Sequence, residues 1–261
     1  MRALLKFGII FFSVLICCEV PALFSNCCSP IFPHQIYIGP EVCYFHRSIE
    51  GAKQDGVLFG ARTGYDYIKG NCFYAGFEGV YLSGRLHGHS DINGKLKSKF
   101  RDAEFEGRLG YTLFRDCGRQ VYLTPFIGGG YVDERNNFIN PSLLTAHYNM
   151  HYGYVCAGFL SSIHLCPRFD FGINFKTKYM INARNDVTHD PEYEDVVMHV
   201  KNEFHYRVEL PLTYRIYDEF YLRLVPFYEY RLFGGKVNFP FDFHETREHL
   251  AGATLKLMYC L

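Results

Sequence analysis

Tryptophan is absent from this chain. Beyond Cys18 no apolar run is long enough to cross a membrane as a helix. Neither charge is in surplus, since 27 Lys and Arg balance 27 Asp and Glu. With that balance and no basic stripe in view, nucleic acid is not an expected partner. What the chain does hold is 21 Tyr and 25 Phe. Tyrosine can anchor a protein at a membrane interface without help from Trp.

The N-terminus reads as a leader. Arg2 and Lys6 precede the apolar run from Phe7 to Cys18, too short for an ordinary spanning helix. Val20-Pro21-Ala22 offers a cleavage site, and Ser25 offers a second. Cys17 or Cys18 would be a lipid-attachment point, but Ile16 before Cys17 fits that poorly. The expected organisation is a signal peptide over 1–22, a short periplasmic segment over 23–33 and one domain over 34–261.

That domain alternates with a period of two. From Ala251 onward, Ala251, Ala253, Leu255, Leu257, Tyr259 and Leu261 share one face, while Gly252, Thr254 and Lys256 share the other. This is a β-strand with one greasy side. Ten stretches read this way: 34–47, 56–68, 71–84, 99–114, 119–132, 147–164, 168–182, 196–215, 219–233 and 247–261. Short connections at Lys69-Gly70, Arg115 to Gly118, Cys166-Pro167 and Tyr217-Asp218 alternate with longer ones over 48–55, 85–98, 133–146, 183–195 and 234–246. The predicted fold is all-β: a transmembrane, antiparallel, up-and-down β-barrel of ten strands, with eight as the alternative. Short turns and both termini then lie in the periplasm, and the long loops outside a bacterial outer membrane.

The faces agree. Val57, Phe59, Ala61, Thr63, Tyr65 and Tyr67 point outward, as do Phe105, Leu109, Tyr111 and Leu113, then Phe169, Phe171, Ile173 and Phe175, then Phe204, Tyr206, Val208 and Leu210. A soluble β-sandwich also alternates, but its polar face carries mixed Ser, Thr and Lys. Here that face carries dense charge of both signs. The inward set is Glu41, Asp66, Glu78, Asp102, Glu104, Glu106, Asp170, Glu203, Glu209 and Glu229 against Arg62, Arg108, Lys176, Lys178, Lys201, Arg207, Arg223, Arg231 and Lys256. Balanced charges in a narrow lumen should pair across it, so a plugged barrel is expected and a narrow channel is the alternative.

The run Ala253, Leu255, Leu257, Tyr259, Leu261 resembles the C-terminal assembly signal of bacterial outer-membrane β-barrels, although that signal usually ends in Phe. Tyr37 to Glu41 and Thr124 to Tyr131 also resemble strands of small outer-membrane barrels. The resemblance implies outer-membrane lipid and the barrel assembly machinery as partners.

Histidines gather in the predicted outer regions: His46, His87, His89, His147, His151, His189, His199, His244 and His249. One predicted loop holds His87, His89 and Asp91, and another holds Asp186, His189 and Asp190. This faintly resembles the omptin surface proteases, in which a water would be activated between His189 and a carboxylate of the other loop. Omptins carry Asp-x-Asp where this chain reads His87-Gly88-His89. His87, His89 and Asp91 are also weighed as metal ligands, though loop histidines are more often simply solvated.

Cysteine is the remaining signal. Cys27, Cys28, Cys72, Cys117, Cys166 and Cys260 all fall at the predicted periplasmic end, whereas Cys43 and Cys156 sit within strands. The periplasm permits disulfides. The set resembles the disulfide-linked envelopes of certain intracellular bacteria, and so implies disulfide-linked envelope proteins as partners. The expected function is non-enzymatic, structural or surface-binding, without cofactor or metal. An omptin-like surface protease and a narrow channel are the alternatives.

Overall fold

The computed structural model describes residues 33–116, 120–189, 196–239 and 242–261. The strands are β1 (His34–Ile49), β2 (Ala52–Tyr67), β3 (Cys72–Ser90), β4 (Gly94–Asp116), β5 (Gln120–Phe138), β6 (His147–Cys166), β7 (Phe169–Phe171), β8 (Asn174–Thr188), β9 (Val196–His199), β10 (Phe204–Glu209), β11 (Leu212–Arg215), β12 (Phe220–Phe233) and β13 (Thr246–Cys260). They make ten spans. β7 and β8 together form the seventh, and β9, β10 and β11 the eighth. Each span pairs antiparallel with its sequence neighbours. The ring closes where β1 meets β13, from Gln35 opposite Cys260 to Ile49 opposite Thr246. Three breaks interrupt these two spans, and two of them, at 172–173 and 210–211, meet at one contact. Pro211 has no N–H to give the ladder, and its carbonyl instead accepts from the Gly172 amide at 2.9 Å.

The connections depart from the expected alternation. β1 and β2 are joined by Glu50-Gly51 alone, with Gly51 at φ 68, and β3 and β4 by Asp91 to Asn93, with Gly94 at φ 65. Both glycines sit in the left-handed region, where a side chain is disfavoured. Segments 48–55 and 85–98 are therefore mostly strand. β5 likewise runs on to Phe138 and β8 to Thr188, whereas 234–245 is a long connection as expected.

Polarity explains why those extensions read as loops. In the half of the barrel nearer the termini, the outward face is apolar: Ile38, Phe59, Phe77, Phe105, Leu109 and Ile127 are all more than half exposed. The inward face there carries charge. Towards the hairpin tips the two faces exchange character. On β4 the outward residues become Arg101, Lys99, Lys97 and Lys95, while Phe100 and Leu96 turn inward and are buried. On β5 they become Asp133, Arg135 and Asn137, over buried Val132 and Phe138. The switch falls at Tyr44 on β1, Tyr81 on β3, Tyr131 on β5 and Tyr228 on β12, each exposed. A ring of tyrosines at the edge of an apolar band is the girdle of a membrane barrel. On β3 the band runs from Phe73 to Tyr81, which at about 3.3 Å per residue spans roughly 26 Å along a tilted strand. Beyond the girdle the hairpins are a water-facing wall around a buried apolar core of Phe45, Leu58, Leu82, Leu86 and Phe100.

Candidate functional site

Inward-facing charges from nearly every span form one connected network. Arg62 donates to both Glu41 oxygens, at 2.5 and 3.0 Å, and to Glu78 at 2.5 Å. Lys256 reaches Glu78 at 3.3 Å. Arg108 lies between Asp66, Glu78 and Glu106. Lys176 holds Glu106 at 2.9 Å, and Lys178 joins Glu104 at 2.7 Å to Glu229 at 3.2 Å. Arg207 ties Glu229 and Glu209, and Arg231 ties Glu229, Asp102 and Glu134. Tyrosine hydroxyls fill remaining acceptor sites: Tyr37 donates to Glu78 at 2.9 Å, Tyr74 to Asp66 at 2.7 Å and Tyr154 to Glu104 at 2.6 Å. A void among Glu78, Arg108, Phe126, Lys176 and Arg207 measures about 10 Å³, room for no more than about one water. The barrel interior at this level is a packed ionic core.

Most of the expected lumen charges join this network. Arg223 instead donates to Thr213 at 2.8 Å. Asp170 pairs with His164 at 2.6 Å. Glu203 pairs with Lys201, which is exposed rather than in the lumen as expected, because the eighth span is interrupted there. Three further inward charges are absent from the expected set: Arg47 and Glu248, at the outer ends of the expected strands 34–47 and 247–261, and Glu134, within the expected loop 133–146. Their strand parity matches Cys43, Val132 and Leu250, and that was the available signal.

Those three residues floor a cup at the hairpin end. Arg47 bridges Glu134 and Glu248, with Nε 2.7 Å from Glu248 Oε1. The cup has a volume of about 250 Å³. Leu96, Phe138, Leu144, Met150, Met198, Phe233 and Phe243 form much of its wall. Gln54 Nε2 donates to Ser98 at 3.0 Å and Asn136 Nδ2 donates to Gln54 at 3.0 Å. Asn136 and Asn185 also line the cup, and each keeps a buried side-chain carbonyl with no protein partner. The cup can seat a small molecule with an apolar body and hydrogen-bond donors.

The rim carries separate acid–histidine pairs. His46 Nδ1 lies 2.5 Å from Asp55, which also accepts from Tyr44 at 2.6 Å. Burial pushes the Asp55 carboxyl up, but the hydrogen bonds from Tyr44 and His46 hold it below its ordinary value. His151 lies 3.7 Å from Asp186, and His244 lies 3.2 Å from Glu50. The His189 ring lies 4.3 Å from the His147 ring rather than against a carboxylate. His87 and His89 stand on the outward face of β3, and Asp91 is in the β3–β4 turn. Among the described residues no three His, Cys, Asp or Glu side chains gather to hold a metal. Asp190 lies outside the described residues.

Among the described residues Cys43, Cys72, Cys156, Cys166 and Cys260 form no disulfide with one another, and Cys43, Cys156 and Cys260 are buried. No disulfide therefore joins the strand-end cysteines Cys72, Cys166 and Cys260 to one another. Cys27, Cys28 and Cys117 lie outside the described residues.

No protein-family profile matches the sequence, and no curated protein matches it. Solved structures do match. The outer membrane protease OmpT from Escherichia coli superposes with a TM-score of 0.57 at 10% identity, over 92% of this chain and 99% of that one. The transport unit of the autotransporter AIDA-I from Escherichia coli superposes with a TM-score of 0.50 at 11% identity, over 93% of this chain and 94% of that one. Identities this low carry the fold and nothing finer. The chain has the fold of the outer-membrane β-barrel proteins.

Proposed function

We propose that this protein is a non-enzymatic barrel of the bacterial outer membrane that works by surface binding. The observation that carries this is the inversion of polarity at the tyrosine girdle. Below it the outward face suits lipid and the interior is filled with paired charge. Above it the hairpins present a polar wall and a cup to water. A barrel with its lumen filled has its working surface at the protruding end. In this reading both termini and Cys27, Cys28, Cys72, Cys117, Cys166 and Cys260 lie on the periplasmic side, where cysteines can cross-link the barrel to other envelope proteins.

The direct test shortens one hairpin. Deleting 85–88 together with 96–99 removes directly opposed pairs and keeps the alternation of β3 and β4. Cells displaying the full chain should be retained on an epithelial monolayer, and cells displaying the shortened chain should lose most of that retention. A heat-modifiability gel shows whether the shortened barrel still folds. Equal retention by the two folded proteins, or by cells lacking both, contradicts the proposal.

A further inference from the structure

One outward surface above the girdle has an unusual charge pattern. On β4, Lys95, Lys97, Lys99 and Arg101 occupy four successive outward positions. The register sets Arg85 directly opposite Lys99, His87 opposite Lys97 and His89 opposite Lys95. Lys53 lies opposite His89 on the far side. The single-residue alternation with Leu96, Ser98 and Phe100 hid this basic stripe from the sequence reading.

Directly opposed like charges cost stability in a sheet. Three bases elsewhere on the exposed wall are neutralised: Arg135 pairs with Asp133 at 2.8 Å, Arg247 with Glu245 at 2.6 Å and Lys201 with Glu203 at 2.9 Å. Among the described residues no carboxylate lies within 4.0 Å of a charged nitrogen of Lys53, Arg85, Lys95, Lys97, Lys99 or Arg101. Of the nearby acids, Asp55 is engaged by Tyr44 and His46 and Asp133 by Arg135, and Asp91 sits in the turn beyond the last rung. The ladder is a surface without its counter-charge.

We infer that this ladder on β3 and β4 binds a linear, polyanionic polysaccharide lying along the strands. This rests on the surface-binding reading and supplies its partner class. The direction of the ladder selects the occupant. From Lys95 to Arg101 it runs for about 20 Å along the strand, away from the apolar band. A layer of lipid headgroups meets only its lower rungs, Arg101 and the Lys99–Arg85 pair. A chain with acidic groups at successive sugars meets every rung. The flat, two-strand width suits a single chain, and the unpaired amines and guanidiniums suit sulfate or carboxylate groups.

The test uses purified full-length protein in detergent micelles, where binding does not depend on orientation in a membrane. The probe is heparin in fragments of graded length, read by fluorescence anisotropy. Affinity should rise with fragment length until about 20 Å is covered, then level off, and it should weaken steeply with salt. The quadruple variant K95Q/K97Q/K99Q/R101Q should bind at least tenfold more weakly. The variant R135Q/R247Q, which removes bases already paired, should bind as the parent does. Unchanged heparin affinity in the quadruple variant overturns the inference, as does an equal loss in R135Q/R247Q. Lipopolysaccharide and single-stranded DNA are run beside heparin. If either depends on the four bases and heparin does not, the occupant is a lipid headgroup or a nucleic acid and the polysaccharide assignment fails. If the ladder variant binds heparin poorly in micelles while its displaying cells keep full retention on a monolayer, surface binding stands and the ladder as its site falls.

Discussion

Arg62 grips Glu41 with two nitrogens, Nε at 2.5 Å and Nη2 at 3.0 Å, and both side chains are almost fully buried. The pair sits where β1 and β2 face the lumen, and Arg62 also holds Glu78 on β3. Arg62→Met takes the bidentate partner from buried Glu41 and one cation from buried Glu78, and should destabilise the barrel by about 3–5 kcal/mol. Adding Glu41→Gln should recover part of that loss, because a neutral amide costs less to bury than a charge. Urea unfolding of refolded protein in lipid vesicles measures both. A change below about 1 kcal/mol for Arg62→Met would mean that water screens the network.

The lipid-facing register is tested at Leu109. It is 65% exposed and lies opposite Ile127, which is 70% exposed, within the apolar band. Leu109→Arg should cost about 2–4 kcal/mol if this depth is near the midplane. Lys97→Gln, on the same face of the same strand but beyond the girdle, should shift stability by less than about 0.5 kcal/mol. The same unfolding assay compares them, and equal effects would contradict the placement of the band.

The packed interior should not conduct. Purified protein in a planar bilayer is expected to show no steady conductance approaching that of a general porin, because the charge network fills the lumen and the cup ends on it. Large, stable single-channel steps would overturn the plug.

The cysteines predict a chemical signature. No disulfide joins Cys72, Cys166 and Cys260 to one another, so the proposed cross-links run to partners. Non-reducing gels of native envelopes should show high-mass species that collapse on reduction, and replacing Cys27 and Cys28 together should remove most of them. A monomer with freely alkylated thiols under both conditions would end the cross-linking idea.

One pH effect follows from the rim. Burial and the neighbouring His189 ring hold His147 below the usual histidine value. The fold therefore favours the neutral ring. Its contribution is in place above about pH 6.5 and is lost as pH falls through the lowered value. Amide exchange at Tyr148 and Val187, which face each other on β6 and β8, should speed up on acidification relative to amides in the band. His147→Phe should remove that dependence.

Ten spans, their antiparallel order and the lumen charges from Glu41 to Lys256 could be read from alternation alone, because a period of two places each side chain without knowledge of its neighbours. The hairpin extensions could not. Lys95 to Arg101 alternate as strictly as Phe105 to Leu113, but with polar residues outward, so a lipid-facing strand and a loop were the wrong alternatives. Glu134 is hidden for the same reason, whereas Arg47 and Glu248 stand at the outer ends of expected strands, where the inward face turns from charged to apolar. The breaks between β7 and β8 and between β10 and β11 meet where Gly172 donates to Pro211, a contact between residues far apart in sequence. The pairing of Asp186 with His151, and of His189 with His147, is likewise set by the β6–β8 register.

The working surface of the barrel is set by which of its ends leaves the cell. An epitope tag at Ile92, in the β3–β4 turn, and one at Gly70, in the β2–β3 turn, place the two ends directly. Antibody should label the Ile92 tag on intact cells and the Gly70 tag only after the outer membrane is permeabilised. Labelling of the Gly70 tag on intact cells, with the Ile92 tag hidden, would contradict this orientation.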